Sequence, residues 1–164
     1  MVALNGFEYF KNTYSMEMQE LQSNLPLISR ESVEQAIDLI LQCKGKLALS
    51  GMGKSGLIAQ KLAATFSSTG TPAFFLHPGE SLHGDLGVLQ PNDLLLVLAK
   101  SGESEEVVQM MQIVKKMGLP VISILGKEKS TAGRLSTVII HAQVSREADS
   151  LNLAPTASTT VALV

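Results

Sequence analysis

The chain has 164 residues, of which 45% are apolar and 17% are charged, a length and composition typical of one globular domain with a buried core. Its 13 Lys and Arg residues are outnumbered by 15 Asp and Glu residues, so it lacks the positive charge that binding to a nucleic-acid backbone requires. The single cysteine, Cys43, excludes a disulfide framework and a cysteine zinc site.

Residues 1–6 lack the basic region and the apolar run of a signal peptide. The sequence also contains no uninterrupted apolar stretch of roughly 18 residues, the length that a membrane-spanning helix needs. We therefore expect a cytoplasmic protein with no membrane partner.

Apolar side chains recur at steps of three and four residues near the amino terminus, at Phe7, Phe10, Tyr14, Met18 and Leu21. This spacing predicts an amphipathic helix over residues 7–24, which Pro26 ends. A second helix is predicted over residues 34–41, with Ser29 or Ser32 as its N-cap. The first stripe is longer than a five-stranded sheet needs for its own coverage, so we expect a homo-oligomer. Packing of the stripe on its own sheet is the alternative.

Short apolar runs and helical spacing alternate through the rest of the chain. The runs, each typical of a buried strand, occupy residues 46–50, 72–77, 94–99, 119–125 and 138–142. Helical spacing is found over residues 55–68, 105–117 and 131–135. This alternation predicts an α/β fold with a five-stranded parallel sheet flanked by helices in three layers, flavodoxin-like or Rossmann-like. Such sheets bind ligands at the carboxyl ends of their strands, near the reversal of strand order.

A glycine-rich loop follows the first predicted strand, with the sequence Gly-Met-Gly-Lys-Ser-Gly at 51–56. Small residues at such a turn let backbone N–H groups and the helix dipole approach a phosphate. Lys54 adds a cation and the serines add hydroxyls, which suit a phosphorylated ligand. We predict phosphate contacts from Ser50, Gly51, Gly53 and Ser55. The alternative is a tight turn that binds nothing.

Two better-known meanings of this loop are disfavoured. A dinucleotide site needs an acidic residue at the end of the second strand, but no carboxylate follows that strand before Glu80. A P-loop needs a lysine where Leu57 stands.

A second loop of similar chemistry follows the third predicted strand, at residues 100–104. Ser101, Gly102 and Ser104 supply hydroxyls and a flexible turn at the start of another helix. Ser104 also fits the N-cap of that helix. Because the two loops follow neighbouring strands, we predict that they form one phosphate-binding cradle.

Polar residues that bind metals or protons cluster after the second predicted strand, at His77, Glu80, His83 and Asp85. Their spacing matches no structural zinc pattern, so we predict no metal and assign His83 a substrate or acid–base role. Two further carboxylates, Glu106 and Glu147, lie near strand ends, where an exposed surface position is the alternative. The hydroxyls after Pro155 predict a capped helix start that also suits an anion.

Seven ordered blocks of the sequence closely resemble the sugar isomerase (SIS) domain of the arabinose-5-phosphate isomerase family. The blocks are Ser-Gly-Met-Gly-Lys-Ser-Gly at 50–56, Ser-Thr-Gly-Thr-Pro at 68–72, Phe-Leu-His-Pro at 75–78, Leu-His-Gly-Asp-Leu-Gly at 82–87, Ser-Gly-Glu-Ser at 101–104, Arg-Glu-Ala-Asp at 146–149 and Leu-Ala-Pro-Thr at 153–156. The resemblance covers residues 32–164 and implies a five-stranded parallel sheet. It also implies a further helical section with a catalytic histidine and a pair of cystathionine-β-synthase domains. We expect residues 1–164 to be one SIS domain without these parts.

The resemblance implies interconversion of D-ribulose 5-phosphate and D-arabinose 5-phosphate, for lipopolysaccharide or capsule sugars, by a cytoplasmic homotetramer. The catalytic positions that it implies are Lys54, His83, Glu106 and Glu147. The serines of the two loops and Thr156 resemble the phosphate-binding groups of the family.

Aldose–ketose isomerisation needs a base and a group that stabilises an oxyanion, but no redox cofactor. Glu147 or Glu106 is the candidate carbon base, with the other relaying protons between oxygens. Lys54 stabilises the enediolate or holds the phosphate, and His83 orients hydroxyls. The alternatives are a non-catalytic sugar-phosphate sensor and an isomerase of another sugar phosphate.

Overall fold

The computed structural model describes residues 5–164. Residues 1–4, which belong to the segment that lacks the features of a signal peptide, lie outside the described residues. The helices in this range are α1 (Gly6–Asn24), α2 (Arg30–Gln42), α3 (Gly53–Ser68), α4 (Pro78–Ser81), α5 (Glu105–Lys116), α6 (Thr131–Leu135) and α7 (Ala157–Leu163). The strands are β1 (Leu47–Ser50), β2 (Ala73–Phe75), β3 (Leu94–Ala99), β4 (Val121–Leu125) and β5 (Val138–His141). Short 3₁₀ turns occupy Leu25–Leu27 and Asp85–Val88.

The five strands form one parallel sheet in the order β2-β1-β3-β4-β5. From β1 the chain first moves to one side to form β2 and then crosses back to place β3 on the other side. The direction of winding therefore reverses between β1 and β3, as in flavodoxin-like folds. The predicted α/β class and the five-stranded parallel sheet are confirmed.

Both faces of the sheet are buried, because successive side chains of a strand point to opposite faces. In β3, Leu95 and Val97 pack with Met110 and Val114 of α5 on one face. Leu94, Leu96 and Leu98 pack on the other face with residues of α2 and α3 such as Ala36, Ala59 and Ala63. The result is three layers, with the sheet in the middle.

The structure differs from the predicted elements mainly around β2. This strand spans three residues rather than 72–77, and Pro78 then begins α4, which the sequence did not predict. Nδ1 of His77 accepts a hydrogen bond from Glu80 N at 3.4 Å, so His77 is the N-cap of α4. A helix of four residues is too short to show a helical period. Ser29 caps α2, which begins at Arg30 rather than at residue 34.

Helix α1 packs against α7 rather than on the sheet. Its apolar stripe is largely exposed: Phe7 is 65% exposed, Phe10 63%, Tyr14 61% and Met18 47%. The alternative in which the stripe covers the chain's own sheet is therefore wrong for these four side chains.

The other face of α1 binds the segment that follows β5. The buried carboxylate of Glu20 accepts hydrogen bonds from Ser145 N at 2.7 Å and from Ser145 Oγ at 2.5 Å. The buried Asn24 side chain donates to the carbonyl oxygens of His141 and Gln143, both at 3.2 Å. Helix α1 thus fixes the backbone that leads directly to Glu147.

We predict that Glu20→Ala lowers the free energy of unfolding by about 2–4 kcal/mol, because a buried charged acceptor with two donors is lost. Urea denaturation measures this change. The control is Gln19→Ala, an exposed neighbour on α1, whose effect we expect within about 0.5 kcal/mol. Equal effects of the two substitutions would contradict the anchoring role of Glu20.

Candidate functional site

A cleft of about 420 Å³ opens at the carboxyl edge of the sheet, beside the end of β3 and the first turns of α3 and α5. Its polar lining consists of Ser55, Lys100, Ser101, Ser104 and Lys127. A second cleft of about 420 Å³ adjoins it and shares Lys100 and Lys127. Both clefts therefore lie at the carboxyl edge of the sheet, near the reversal of strand order. This is where the sequence predicts the site.

The β1–α3 loop approaches the sheet closely. A Cβ at Gly51 would lie 2.9 Å from the carbonyl oxygen of Leu98, and Gly53 has φ +56°, so both positions require glycine. Ser55 lines the cleft. The hydroxyl of Ser50, predicted as a phosphate ligand, is fully buried and donates to the carbonyl oxygen of Leu76 at 2.6 Å. That hydroxyl serves the packing of strands rather than the cleft.

The β3–α5 loop presents two serines to the same cleft. Gly102 has φ +68°, and a Cβ there would collide with the side chain of Ser130. Ser104 occupies the N-cap position of α5, but within residues 5–164 its side chain makes no capping hydrogen bond. Its hydroxyl therefore remains available to a ligand, whereas the Ser101 hydroxyl accepts a hydrogen bond from Glu103 N at 3.2 Å.

Glu147 is buried, with its side chain 2% exposed, so the surface alternative is wrong for this residue. One carboxylate oxygen, Oε1, contacts Lys100 Nζ at 2.5 Å. The other, Oε2, accepts hydrogen bonds from Thr156 N at 2.8 Å, Ser158 N at 3.1 Å and Thr156 Oγ1 at 3.3 Å. The hydroxyl of Thr156, predicted to bind phosphate, is thus already engaged by Glu147, and it also accepts from Ala148 N at 2.7 Å.

These contacts determine the protonation state of Glu147. Burial by itself raises the pKa of a carboxyl group, but hydrogen bonds from Lys100, Ser158 and Thr156 outweigh it and lower the pKa of Glu147 to about 2. The group is therefore a carboxylate at neutral pH. A carboxylate with so low a pKa is a weak general base.

The other implied catalytic residues lie at the same edge but outside the lining of the first cleft. Lys54 is exposed in the first turn of α3 and forms no ion pair with any residue in the range 5–164. Glu106 is half-buried in the first turn of α5. His83 is exposed just after α4. The structure thus brings Ser55, Ser101 and Ser104 together in the cleft and leaves these three side chains around it.

Sequence reasoning assigned no role to two cleft residues, Lys100 and Lys127. Each follows a buried strand by one or two positions, at the edge where ligands bind, and this placement was the available signal. Lys127 is exposed and forms no ion pair with the described part of the chain. It gives the cleft a positive charge that no ion pair within the described part of the chain neutralises.

The cluster considered as a metal site does not assemble into one. Within residues 5–164, no three His, Cys, Asp or Glu side chains lie together in a way that would hold a metal ion. His77 instead caps α4. His141, at the end of β5, lies 3.6 Å from Oε1 of Glu128 through its Nδ1. No helix in the described range has the length and hydropathy needed to cross a membrane.

A parallel sheet with helices on both faces and a cleft lined by serines and lysines at its switch point defines a doubly wound α/β domain. Residues 40–164 match the model of the SIS domain, and the chain belongs to the SIS domain family.

Relatives named as arabinose 5-phosphate isomerases are similar to most of the chain. The probable arabinose 5-phosphate isomerase of Haemophilus influenzae is 45% identical over 162 residues, 98% of this chain and 47% of that protein. The arabinose 5-phosphate isomerase KdsD of Escherichia coli O157:H7 is 43% identical over 146 residues, 89% of this chain and 44% of that protein. The chain spans about half the length of these curated relatives.

A solved structure is similar over almost the whole chain. It is that of E. coli CFT073 c3406 in complex with arabinose 5-phosphate, with a TM-score of 0.91 and 36% sequence identity. The match covers 99% of this chain and 86% of that one.

The depressed pKa of Glu147 predicts how stability depends on pH. The pKa in the folded chain, about 2, lies below the ordinary value of 4.5, so the carboxylate stabilises the fold above pH 4.5 and loses this effect as the pH falls toward 2. We expect Glu147→Gln to unfold at lower urea concentration than the wild type at pH 6. At pH 3, the urea concentrations at which the variant and the wild type unfold should lie closer together. A difference that is the same at both pH values would contradict this role of the carboxylate.

Proposed function

We propose that this chain is the isomerase domain of a protein that interconverts D-ribulose 5-phosphate and D-arabinose 5-phosphate. The observation that carries the proposal is the cleft at the strand-order reversal, where three serine hydroxyls and two lysine ammonium groups meet near the N-termini of α3 and α5. The names of the relatives that are 43% and 45% identical and the sugar-phosphate complex of the similar structure support the choice of substrate.

The phosphate group of the sugar binds at the serine-lined end of this cleft. The N-termini of α3 and α5 direct backbone N–H groups to it, and hydroxyls of Ser55, Ser101 and Ser104 add donors. Lys127 supplies charge that no described ion pair offsets, and Lys54 adds charge from the first turn of α3. Ser50 and Thr156 hold the surrounding backbone through the bonds that engage their hydroxyls.

The isomerisation moves one proton between neighbouring carbons. A base removes a proton from C1 of the ketose, the electron pair forms the C1–C2 double bond, and charge develops on the C2 oxygen. Return of a proton to C2 and transfer of the O1 proton to O2 gives the aldose. We assign the base to Glu106, because both carboxylate oxygens of Glu147 are engaged by Lys100, Thr156 and Ser158. The low pKa of Glu147 also makes that carboxylate a weak base. His83 orients the hydroxyls, and the reaction requires no cofactor.

The resemblance supports a cytoplasmic enzyme whose product enters lipopolysaccharide or capsule sugar synthesis. A sensor of sugar phosphates would use the same phosphate-binding end but would need no base. A turnover assay separates the two.

In the full-length protein, we predict that ribulose 5-phosphate is converted to arabinose 5-phosphate, as followed by NMR. Lys54→Ala and Glu106→Gln should each lower kcat about a hundredfold or more, the scale of a lost acid–base or electrostatic partner. Lys61→Ala, a substitution on an exposed part of α3 away from the loop, is the matched control. Unchanged kcat in either variant removes that residue from the mechanism, and a wild type without turnover favours the sensor.

We also propose that the protein is a homo-oligomer, a tetramer by the family resemblance, with the exposed stripe of α1 in its interface. Four large apolar side chains on one helix face, all exposed in the isolated chain, form a surface that soluble monomers seldom leave uncovered. The first two aromatic rings of the stripe stack with centroids 6.4 Å apart, which gives a second copy a preformed surface.

We predict a sedimentation coefficient larger than that of a monomer at micromolar concentration. Phe10→Asp should shift the protein toward smaller species, because a charge would be buried in the interface. Asn12→Asp adds the same charge to the polar face of α1 and should leave the assembly intact. A wild-type monomer that is unchanged on tenfold concentration would refute the interface.

A further inference from the structure

Lys100 lies at the end of β3, in the centre of the carboxyl edge. It lines the cleft at the strand-order reversal and the adjoining cleft. Its side chain is 57% exposed, whereas that of its partner, Glu147, is 2% exposed. The ammonium group of Lys100 is therefore bound by a buried carboxylate and is also accessible from the cleft.

The partner of Lys100 is itself rigidly placed. One oxygen of the Glu147 carboxylate receives Nζ of Lys100 at 2.5 Å. The other oxygen accepts hydrogen bonds from the backbone N–H groups of Thr156 and Ser158, so the carboxylate cannot rotate without losing them. An ammonium group has three N–H donors. Glu147 occupies one of them, which leaves two for a ligand.

This anchoring distinguishes Lys100 from the two other lysines near the cleft. Lys54 and Lys127 are exposed and form no ion pair with residues 5–164, so they supply charge without a fixed direction. Glu147 neutralises the charge of Lys100. The pair therefore contributes to the cleft an N–H donor with a fixed direction rather than a net charge. Donors fixed in advance stabilise a developing oxyanion most effectively, because they need not reorganise during the reaction.

We propose that Lys100 binds the sugar directly and that its ammonium donates the hydrogen bond that stabilises the enediolate oxygen. The inference rests on the isomerase function proposed above. As the base takes the C1 proton, the electron pair of the carbonyl bond at C2 moves onto O2, and an N–H of Lys100 donates to that oxygen. No bond to Lys100 forms or breaks. Glu147 remains a carboxylate and acts as a positioning residue.

The first test compares turnover of ribulose 5-phosphate by the full-length protein and its variants. Lys100→Met should lower kcat about a hundredfold or more, as expected for a lost oxyanion donor, and should change KM less than about threefold. Lys61→Met makes the same change at an exposed position of α3 and should leave both constants unchanged.

A double variant separates this role from a structural one. Lys100→Met alone leaves a buried carboxylate without its partner, which destabilises a fold. Lys100→Met with Glu147→Gln removes both charges and should recover part of the thermal stability that Lys100→Met loses, while kcat stays low. Recovery of kcat together with stability would overturn the inference.

A binding measurement adds a readout that does not depend on turnover. The probe is a phosphorylated four-carbon hydroxamate, a stable mimic of the enediolate, compared with D-arabinose 5-phosphate by calorimetry. The double variant should bind the hydroxamate about a hundredfold more weakly, the scale of one oxyanion donor, and the sugar phosphate almost unchanged. Equal losses for both ligands, or none, would overturn the assignment of Lys100.

The two proposals fail in different ways. If the wild type neither isomerises ribulose 5-phosphate nor binds the hydroxamate, the proposed function fails and the inference on Lys100 falls with it. If the wild type isomerises and the double variant keeps wild-type kcat, the inference on Lys100 fails while the function stands.

Discussion

The buried carboxylate of Glu147 is the interaction on which the carboxyl edge of this domain depends. It joins the end of β3, through Lys100, to the first turn of α7, through Thr156 and Ser158. A buried charge is tolerated only when its partners compensate the loss of water, and here four hydrogen bonds do so. The hydrogen bonds that compensate for the burial of this carboxylate also lower its pKa and keep it ionised.

The N-terminal helix extends this arrangement to the surface of the molecule. Its buried face, through Glu20 and Asn24, holds the segment that ends β5 and leads to Glu147. Its exposed stripe is the surface that we propose a second copy covers. A single helix thus connects the proposed subunit interface to the backbone of the site, so assembly and site geometry share a structural element.

The sequence predicted the fold well because its signals are local. The runs at residues 94–99 and 131–135 coincide with β3 and α6, and Gly51 and Gly56 of the first loop mark places where a Cβ would strike the backbone. The pairing of Lys100 with Glu147 spans 47 positions, and no periodicity reports a contact of that kind.

The hydroxyls show the same limit of sequence reasoning. Ser50 and Ser55 look equally suited to a phosphate in the sequence, yet one is buried against the carbonyl oxygen of Leu76 and the other lines the cleft. Which hydroxyl is free depends on the packing of neighbouring strands. Local patterns therefore located the edge that carries the site but not the individual donors within it.

The separation between Lys100 and Glu147 also imposes an order on synthesis. Lys100 leaves the ribosome 47 residues before Glu147, which at roughly 5–20 residues per second is a delay of about 2–10 s. During that time β1, β2 and β3 are already available to pair, while the ammonium at the end of β3 has no carboxylate to meet. The nascent domain can therefore acquire most of its sheet before the ion pair at its carboxyl edge forms.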